Sequence, residues 1–335
     1  MKNAILHLLK TPEKCNRLVV APSGKMGEFD SHATDCPFLF FHNNYYWMTF
    51  VGWDGIGYQT GLARSSNLLT WEKVGLILGR GPAGTVTEYN IALTSIMRNN
   101  ALFGSGSLKQ HNGYFVGTWH AYPGQGYEEG PAVIGLCFSK DLRNWEISEP
   151  VIRPEAANSW EAGGLYKSWL MENAGTYYLF YNAKNIALPG DHWIEQTGVA
   201  VSRDLVHWEK HPANPILSNG PCGTFDDIFA SDPSVLYHDG QWIMFYFGFS
   251  TDGHARNSVA FSSDLIEWKK SNQILIDIGA PGSIDSKYAH KPAIIAKDKC
   301  LYHFYCAVSP ASENRNKDIN YGEIRGITLA HNAAS

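Results

Sequence analysis

The chain has 335 residues, a net charge of −5 and an apolar fraction of 44%, with aromatic residues at 13% and eleven tryptophans. No basic stretch stands out, which speaks against nucleic acid or an anionic membrane as a partner, and no apolar run is long enough to span a bilayer. The length is enough for one large domain and alone would permit two or three, and it leaves oligomeric state open.

The opening residues, Met1 to Lys10, hold too short an apolar run for a secretory signal and lack a small-residue cleavage site. A cytoplasmic protein is the expectation, or a secreted or periplasmic one if a leader has been removed. The six cysteines form no Cys-x-x-Cys pair, so neither a disulfide framework nor a zinc site is expected.

From Tyr45 onward an aromatic strand recurs: Tyr45–Phe50, Tyr114–Trp119, Tyr177–Tyr181 and Trp242–Tyr246. Such runs, bounded by turn residues such as His42-Asn-Asn44 and Asp239-Gly240, read as buried strands. Each is followed by a second strand. In three copies that strand reads Gly-x-x-x-Ser (Gly61–Ser65, Gly135–Ser139, Gly198–Ser202). Then comes a fixed phrase, Ser-x-(Asp/Asn)-Leu-x-x-Trp. It occurs at Ser65–Trp71, Ser139–Trp145, Ser202–Trp208 and Ser262–Trp268, its tryptophans 74, 63 and 60 residues apart. A fixed phrase at a near-constant period is the mark of a repeat architecture. The order strand, turn, strand, loop, strand, turn, Trp strand describes a four-stranded blade.

A fifth unit begins at Ile284, runs through Leu301–Tyr305 and Gly326–Ala330, and stops where its Trp strand should come. The expected fold is therefore all-β: a five-bladed β-propeller of four-stranded antiparallel blades, one domain over residues 1–335. The N-terminal segment, with Arg17-Leu-Val-Val20, is expected to close the last blade and leave only short edges.

A second repeat places Pro seven residues after Asp: Asp30 and Pro37, Asp226 and Pro233, Asp285 and Pro292. If each proline opens the first strand of a blade, the residues just before it converge on the axis. Asp35, Asp232, and His290 with Lys291 then share one pocket. In the third blade Trp160-Glu161 stands where Phe-Asp stands elsewhere, which adds Glu161. The second blade offers only Gly104 to Ser107, with Ser105 as a hydroxyl ligand. Asp30, Asp226 and Asp285 sit in equivalent places and read as structural. Crowded carboxylates push each other's pKa values apart, as acid–base cleavage of a glycosidic bond requires.

These features resemble the five-bladed β-propeller glycoside hydrolases, the group that includes families 43, 32, 62, 68, 117 and 130. The likeness rests on the blade phrase, on Asp232-Pro-Ser-Val235 and on Glu161-Ala-Gly. It implies a carbohydrate substrate, Asp35 as base or nucleophile and Glu161 as general acid. It also implies Asp232 as the acid that tunes the donor, and His290 near an axial calcium or water cluster. A family 117-like reading makes His290 the acid. No other cofactor is implied. Loop residues Trp53 with Asp54, Trp119, His120, Asn182, Lys184 and His254 would bind or stack on the sugar, and Glu88 is an outlying acid. The expected activity is exo-hydrolysis at a non-reducing-end sugar of a plant or algal oligosaccharide. The alternatives are a family 130-type inverting phosphorylase, using Arg98, Lys167, Lys291 and His290 for phosphate, or a non-catalytic sugar-binding propeller.

Overall fold

The computed structural model describes residues 2–126, 128–188, 191–311 and 322–333. Among them strands dominate, and the α-helix is the short Lys2–Leu8. Five antiparallel groups follow one another in sequence. The first is Ala33–His42, Tyr45–Trp53, Tyr58–Ser65 and Glu72–Leu78. The later groups open on Ala92–Ile96, Gly164–Asn173, Phe229–His238 and Tyr288–Lys297. Each opening strand packs beside the next, and the fifth packs beside the first.

The repeated phrase is a turn device. In its first copy the Ser65 hydroxyl caps the Leu68 N–H at 2.8 Å, and Asn67 Oδ1 accepts from Leu69 and Thr70, both at 2.9 Å. Leu68, Leu142, Leu205 and Leu265 are all left-handed, with φ of 64–73°. A branched residue there is unfavourable. Burial of each leucine and an indole N–H offset the strain: Trp71 donates to the Leu68 carbonyl at 2.9 Å, and the other copies do the same.

A second device links the groups' outer and inner parts. Asp30, Asp226 and Asp285 are buried and take Lys73 (2.5 Å), Lys270 (2.5 Å) and Lys14 (2.7 Å). Glu161 takes Lys210 at 2.5 Å. Three of these lysines stand two residues after the phrase tryptophan. Lys14 comes instead from the N-terminal strand Glu13–Lys14, which pairs with Glu323–His331, the third strand of the last group. The same segment runs on to Val20, bridged to Ile327.

The second group departs from the pattern. After Ile96 the backbone makes an excursion that bridges to Phe41 through Ser107 and to Tyr237 through Ala101. Within it, Arg98 is buried with no carboxylate partner among the described residues. Its guanidinium donates to the Leu39 carbonyl and, at 2.8 Å, to the Ile294 carbonyl, and it lies 5.5 Å from the Phe38 ring and 5.1 Å from that of Trp169. These residues close the end of the opening strands away from Asp35.

Candidate active site

Every opening strand carries a break in register at the same height. The breaks fall between Asp35 and Phe38, Leu93 and Ser95, Tyr166 and Ser168, Ser231 and Ser234, and His290 and Ala293. They are bulges, which bend a strand and re-aim a side chain. Cys36, Lys167, Asp232 and Lys291 sit in them at φ of 47°, 34°, 60° and 59°. Strain at non-glycine residues concentrates at functional sites. Pro37, Pro233 and Pro292 lie inside bulges, where a missing N–H breaks no ladder. They do not open their strands, which begin at Ala33, Phe229 and Tyr288.

The bulges surround one cavity of about 370 Å³. Asp35, Lys167, Asp232, His290 and Lys291 line its floor. Trp193, Phe229, Phe247, Phe249 and Tyr288 build an aromatic wall, with Trp193 stacked on Phe229 at 6.2 Å and Phe229 packed on Phe249 at 5.0 Å. Glu128, Glu195, Glu323 and Arg325 add to the polar lining.

Asp35 is fixed on three sides. Its Oδ1 accepts from the Cys36 N–H at 2.7 Å, and its Oδ2 from Lys291 at 2.7 Å and Arg325 at 2.9 Å. Burial alone would raise its pKa, but the Lys291 ammonium and the Arg325 guanidinium together hold it well below the ordinary carboxylate range. Asp35 is thus an ionised carboxylate. His290 is the reverse: burial, then Lys291 and Arg325, lower it to about 3. The neutral ring donates from Nδ1 to the Cys306 carbonyl at 3.0 Å and leaves Nε2 to accept, with Arg325 3.4 Å away. A ring held neutral does not serve as a proton donor near neutral pH, which counts against the family 117-like reading.

Asp232 has its pKa raised, chiefly by burial. Its Oδ1 accepts from the Asn182 side-chain amide, whose Oδ1 in turn accepts the Asp232 N–H at 2.7 Å. Its Oδ2 is buried and has no partner among the described residues. Glu195, at the start of Glu195–Ser202, is raised to about 7 by burial and by the neighbouring Glu128. Its Oε1 accepts from the Trp193 indole at 2.8 Å and its Oε2 from Ser231 at 2.6 Å. One cavity therefore holds a carboxylate kept ionised and a carboxyl kept protonated up to about neutral pH.

Glu161 is not in this cavity. It is fully buried in a separate polar pit of about 210 Å³ with Glu155, Trp160 and Lys210. It holds there the station that Asp30, Asp226 and Asp285 hold in other groups. Trp119 is also corrected. It pairs across from Gly135 as Phe50 does from Gly61 and Tyr181 from Gly198. It is a core residue, its indole donating to the Leu136 carbonyl at 2.9 Å. A Cβ on Gly135 would lie 2.4 Å from that indole, which is why glycine stands there. Ser105 is exposed on the opposite end of the molecule, in the excursion that touches Phe41.

Other expected ligands are nearer. His120 lines the cavity, held neutral chiefly by burial, and its Nδ1 accepts the Lys167 N–H at 3.3 Å. Asn182 lies behind Asp232 as its support. Trp53 is buried against Tyr58, 5.4 Å away, in a cluster with Tyr122 and Tyr166. His254 faces the Lys287 carbonyl at 3.0 Å, and Asp54 is paired with Arg80 at 2.8 Å. Lys184 sits 4.8–5.9 Å from the rings of Trp193, Tyr122 and Tyr166, with Glu128 at 3.8 Å. Glu88 caps the Gly84 N–H at 2.7 Å in an exposed loop.

Glu195 and Arg325 were not evident from the repeats, yet they share a station. Phe50, Trp119, Tyr181, Tyr246 and Tyr305 pair with Gly61, Gly135, Gly198, Ser258 and Thr328. Three residues earlier stand Tyr58, Ala132, Glu195, Ala255 and Arg325, and all but Ala132 line the cavity. This pairing frame was the signal.

A metal at the floor finds poor support. Asp35, His290 and Cys306 offer atoms within 4.8 Å of one another. Calcium takes six to eight oxygens, whereas this set supplies a single carboxylate, already engaged by two cations. The Cys306 thiol is pushed well above its usual range by burial and stays protonated. The residues do not fit an axial calcium.

Compared with known proteins, residues 106–279 match the family described as Glycosyl hydrolases family 32 N-terminal domain. This protein belongs to that family, within the propeller-type glycoside hydrolase group. It is 29% identical to a solved structure described as a BT0996 complex with RGII, with a TM-score of 0.82 over 99% of this sequence and 94% of that one. A second structure, described as a glycoside hydrolase, is 28% identical, with a TM-score of 0.82 over 99% and 95%. The 1,2-beta-oligomannan phosphorylase of Thermoanaerobacter sp. (strain X514) is 27% identical over 149 residues, 42% of this sequence and 49% of that protein. The chain spans about half the length of the curated relatives it matches.

Proposed function

We propose that the protein is an exo-acting glycoside hydrolase that removes a non-reducing-end sugar from a plant or algal oligosaccharide. In this reading the five antiparallel groups are the five four-stranded blades of one propeller. The single observation that carries the chemistry is one aromatic-walled cavity lined both by Asp35, ion-paired with Lys291 and Arg325, and by Glu195, buried and without a cation partner among the described residues. Glycosidic cleavage needs a protonated acid at the leaving oxygen and an ionised carboxylate that attacks carbon or activates water. Glu195 is the donor and Asp35 the ionised partner. Lys291 and Arg325 keep Asp35 charged and fix its direction, while the aromatic wall takes the apolar face of the sugar. The closed end beneath the floor, sealed around Arg98, supports an exo mode. The RGII complex of the similar BT0996 structure supports a carbohydrate as the substrate class.

A second reading is phosphorolysis. The similar oligomannan phosphorylase favours it, as do Lys167, Lys291 and Arg325 in the cavity. Against it, Lys291 and Arg325 both spend their charge on Asp35.

The test is turnover of a panel of aryl glycosides and oligosaccharides, with and without phosphate, by wild type, Glu195→Gln and Glu161→Gln. The proposal expects phosphate-independent release that is lost in Glu195→Gln and kept in Glu161→Gln. Release only with phosphate moves the protein to the phosphorylases. Activity that survives in Glu195→Gln removes that residue as donor.

A further inference from the structure

Glu195 has a lysine directly opposite it. Lys184 and Glu195 are cross-strand partners between Thr176–Lys184 and Glu195–Ser202, and both are buried. Side chains at such a pair leave the sheet on the same face, roughly 5 Å apart at Cβ, well within reach of an ion pair. Yet among the described residues Lys184 forms its ion pair with Glu128, and Glu195 takes its bonds from Trp193 and Ser231. The Lys184 ammonium lies 4.8 Å from the Trp193 ring and 5.0 Å from that of Tyr122. It donates to the Glu128 backbone carbonyl at 3.4 Å and has Glu128 Oε2 at 3.8 Å. Glu128 stands at a left-handed φ of 57°, in the loop after Tyr114–Ala121 that the Gly124 N–H closes on the Glu129 carbonyl at 2.9 Å. That conformation is uncommon for glutamate, and here it turns both kinds of acceptor toward Lys184.

A lysine turned toward Glu195 would hold it ionised, and an ionised carboxylate is no proton donor. The other groups facing Glu195 leave it uncharged. Trp193 and Ser231 donate neutral hydrogen bonds, at 2.8 Å and 2.6 Å. The Tyr166 phenol is kept protonated chiefly by burial, and Glu128 is itself an acid. His192, in the same cavity lining, packs on Phe249 at 6.1 Å.

We propose that Glu128 is a positioning residue for the acid: with the Tyr122 and Trp193 rings it draws the Lys184 ammonium off Glu195 and leaves that carboxyl without a cation. Trp193 serves twice, its ring holding Lys184 and its indole N–H holding Glu195 Oε1. The meaning for turnover rests on Glu195 as the proton donor, so the charge arrangement is measured without turnover.

The test is the titration of the Glu195 carboxyl by carbon-13 NMR on protein labelled at glutamate Cδ, the signal assigned by its loss in Glu195→Gln. In wild type Glu195 is expected to hold its proton at about pH 6, above the ordinary glutamate range. Glu128→Gln should lower its midpoint by about one pH unit or more, because Lys184 then turns to it. In a Lys184→Met background the same Glu128→Gln change should move it by less than half as much. Lys184→Gln replaces Lys184→Met if the latter melts well below wild type. Equal shifts in the two backgrounds would mean that Glu128 acts by its own charge alone, and would overturn the proposal. So would an unmoved midpoint in Glu128→Gln, or a Glu195 already ionised at about pH 6 in wild type. The alkaline limb of kcat should follow the NMR midpoint from variant to variant. Turnover that persists in Glu195→Gln would remove that residue as donor and leave the Lys184 result standing, so the two claims fail separately.

Discussion

At the scale of single residues, burial and neighbouring charge assign the chemistry. Glu195 is raised to about 7, against an unfolded value near 4.3. Two consequences follow with opposite signs. Turnover needs the proton, so kcat should fall as pH rises through about 7, and Glu195→Gln should lower kcat by roughly 10²–10⁴-fold. Stability runs the other way. A folded-state pKa above the unfolded one contributes stability that is full below about 4 and is lost as pH rises through about 7. At pH 8, Glu195→Gln should therefore be more stable than wild type, by something on the order of 2–3 kcal/mol. Urea melts at pH 5 and pH 8 check this: the gain should appear at pH 8 and shrink at pH 5. Asp35 behaves in the opposite sense. Its depressed value contributes stability above about pH 4 that is lost in acid. What the sequence shows of these residues is uneven. Asp35, Asp232 and His290 can be read because a proline follows each, and proline tolerates a bulge. The third group has no such proline. Its bulge residue, Lys167, is marked by nothing local, and Trp160-Glu161 resembles the buried Phe-Asp pair because it does that pair's structural work.

At the scale of elements, the repeats are readable because they repeat a physical solution. The Ser-x-Asp-Leu-x-x-Trp phrase caps, turns and locks a strained leucine, each task falling to one of its fixed residues. The carboxylate–lysine pairs are a second solution, with Glu161 and Lys210 as the third group's version. Removing one partner of a buried pair is strongly destabilising. Glu161→Gln should cost about 3 kcal/mol, moderated by the partial exposure of Lys210, while leaving kcat/KM within about twofold. Denaturant titration beside steady-state kinetics checks both halves. Gly198→Ala tests the aromatic station in the same way. A Cβ there would lie 2.7 Å from Trp160 and 2.8 Å from Tyr181, and overpacking of this kind costs about 1–3 kcal/mol. The pairing of third strands against aromatic strands is the level at which local reading stops. Glu195 and Arg325 share a station only once cross-strand register is known, and register is a property of two strands together.

At the scale of the whole molecule, the fold closes on itself through its N-terminal segment. Lys14 reaches Asp285, 271 residues away, and Val20 meets Ile327. Removing residues 1–20 should expose the edge of Glu323–His331 and the buried side of Asp285 together. The shortened protein is expected to melt at least about 10 °C lower and to aggregate, by calorimetry and light scattering. Lys14→Met should show a smaller part of the same loss. The cavity depends on this closure, since Arg325 lies on the strand that the N-terminal segment covers.

The proposed hydrolysis takes place in the cavity that Asp35 and Glu195 line. A crystal structure of Glu195→Gln soaked with the glycoside that wild type turns over tests it most directly. The terminal sugar is expected against the Phe229–Phe249 wall, its scissile oxygen within hydrogen-bond distance of residue 195. A sugar bound instead in the polar pit beside Glu161, with the central cavity empty of it, would rule out Asp35 and Glu195 as the reacting pair.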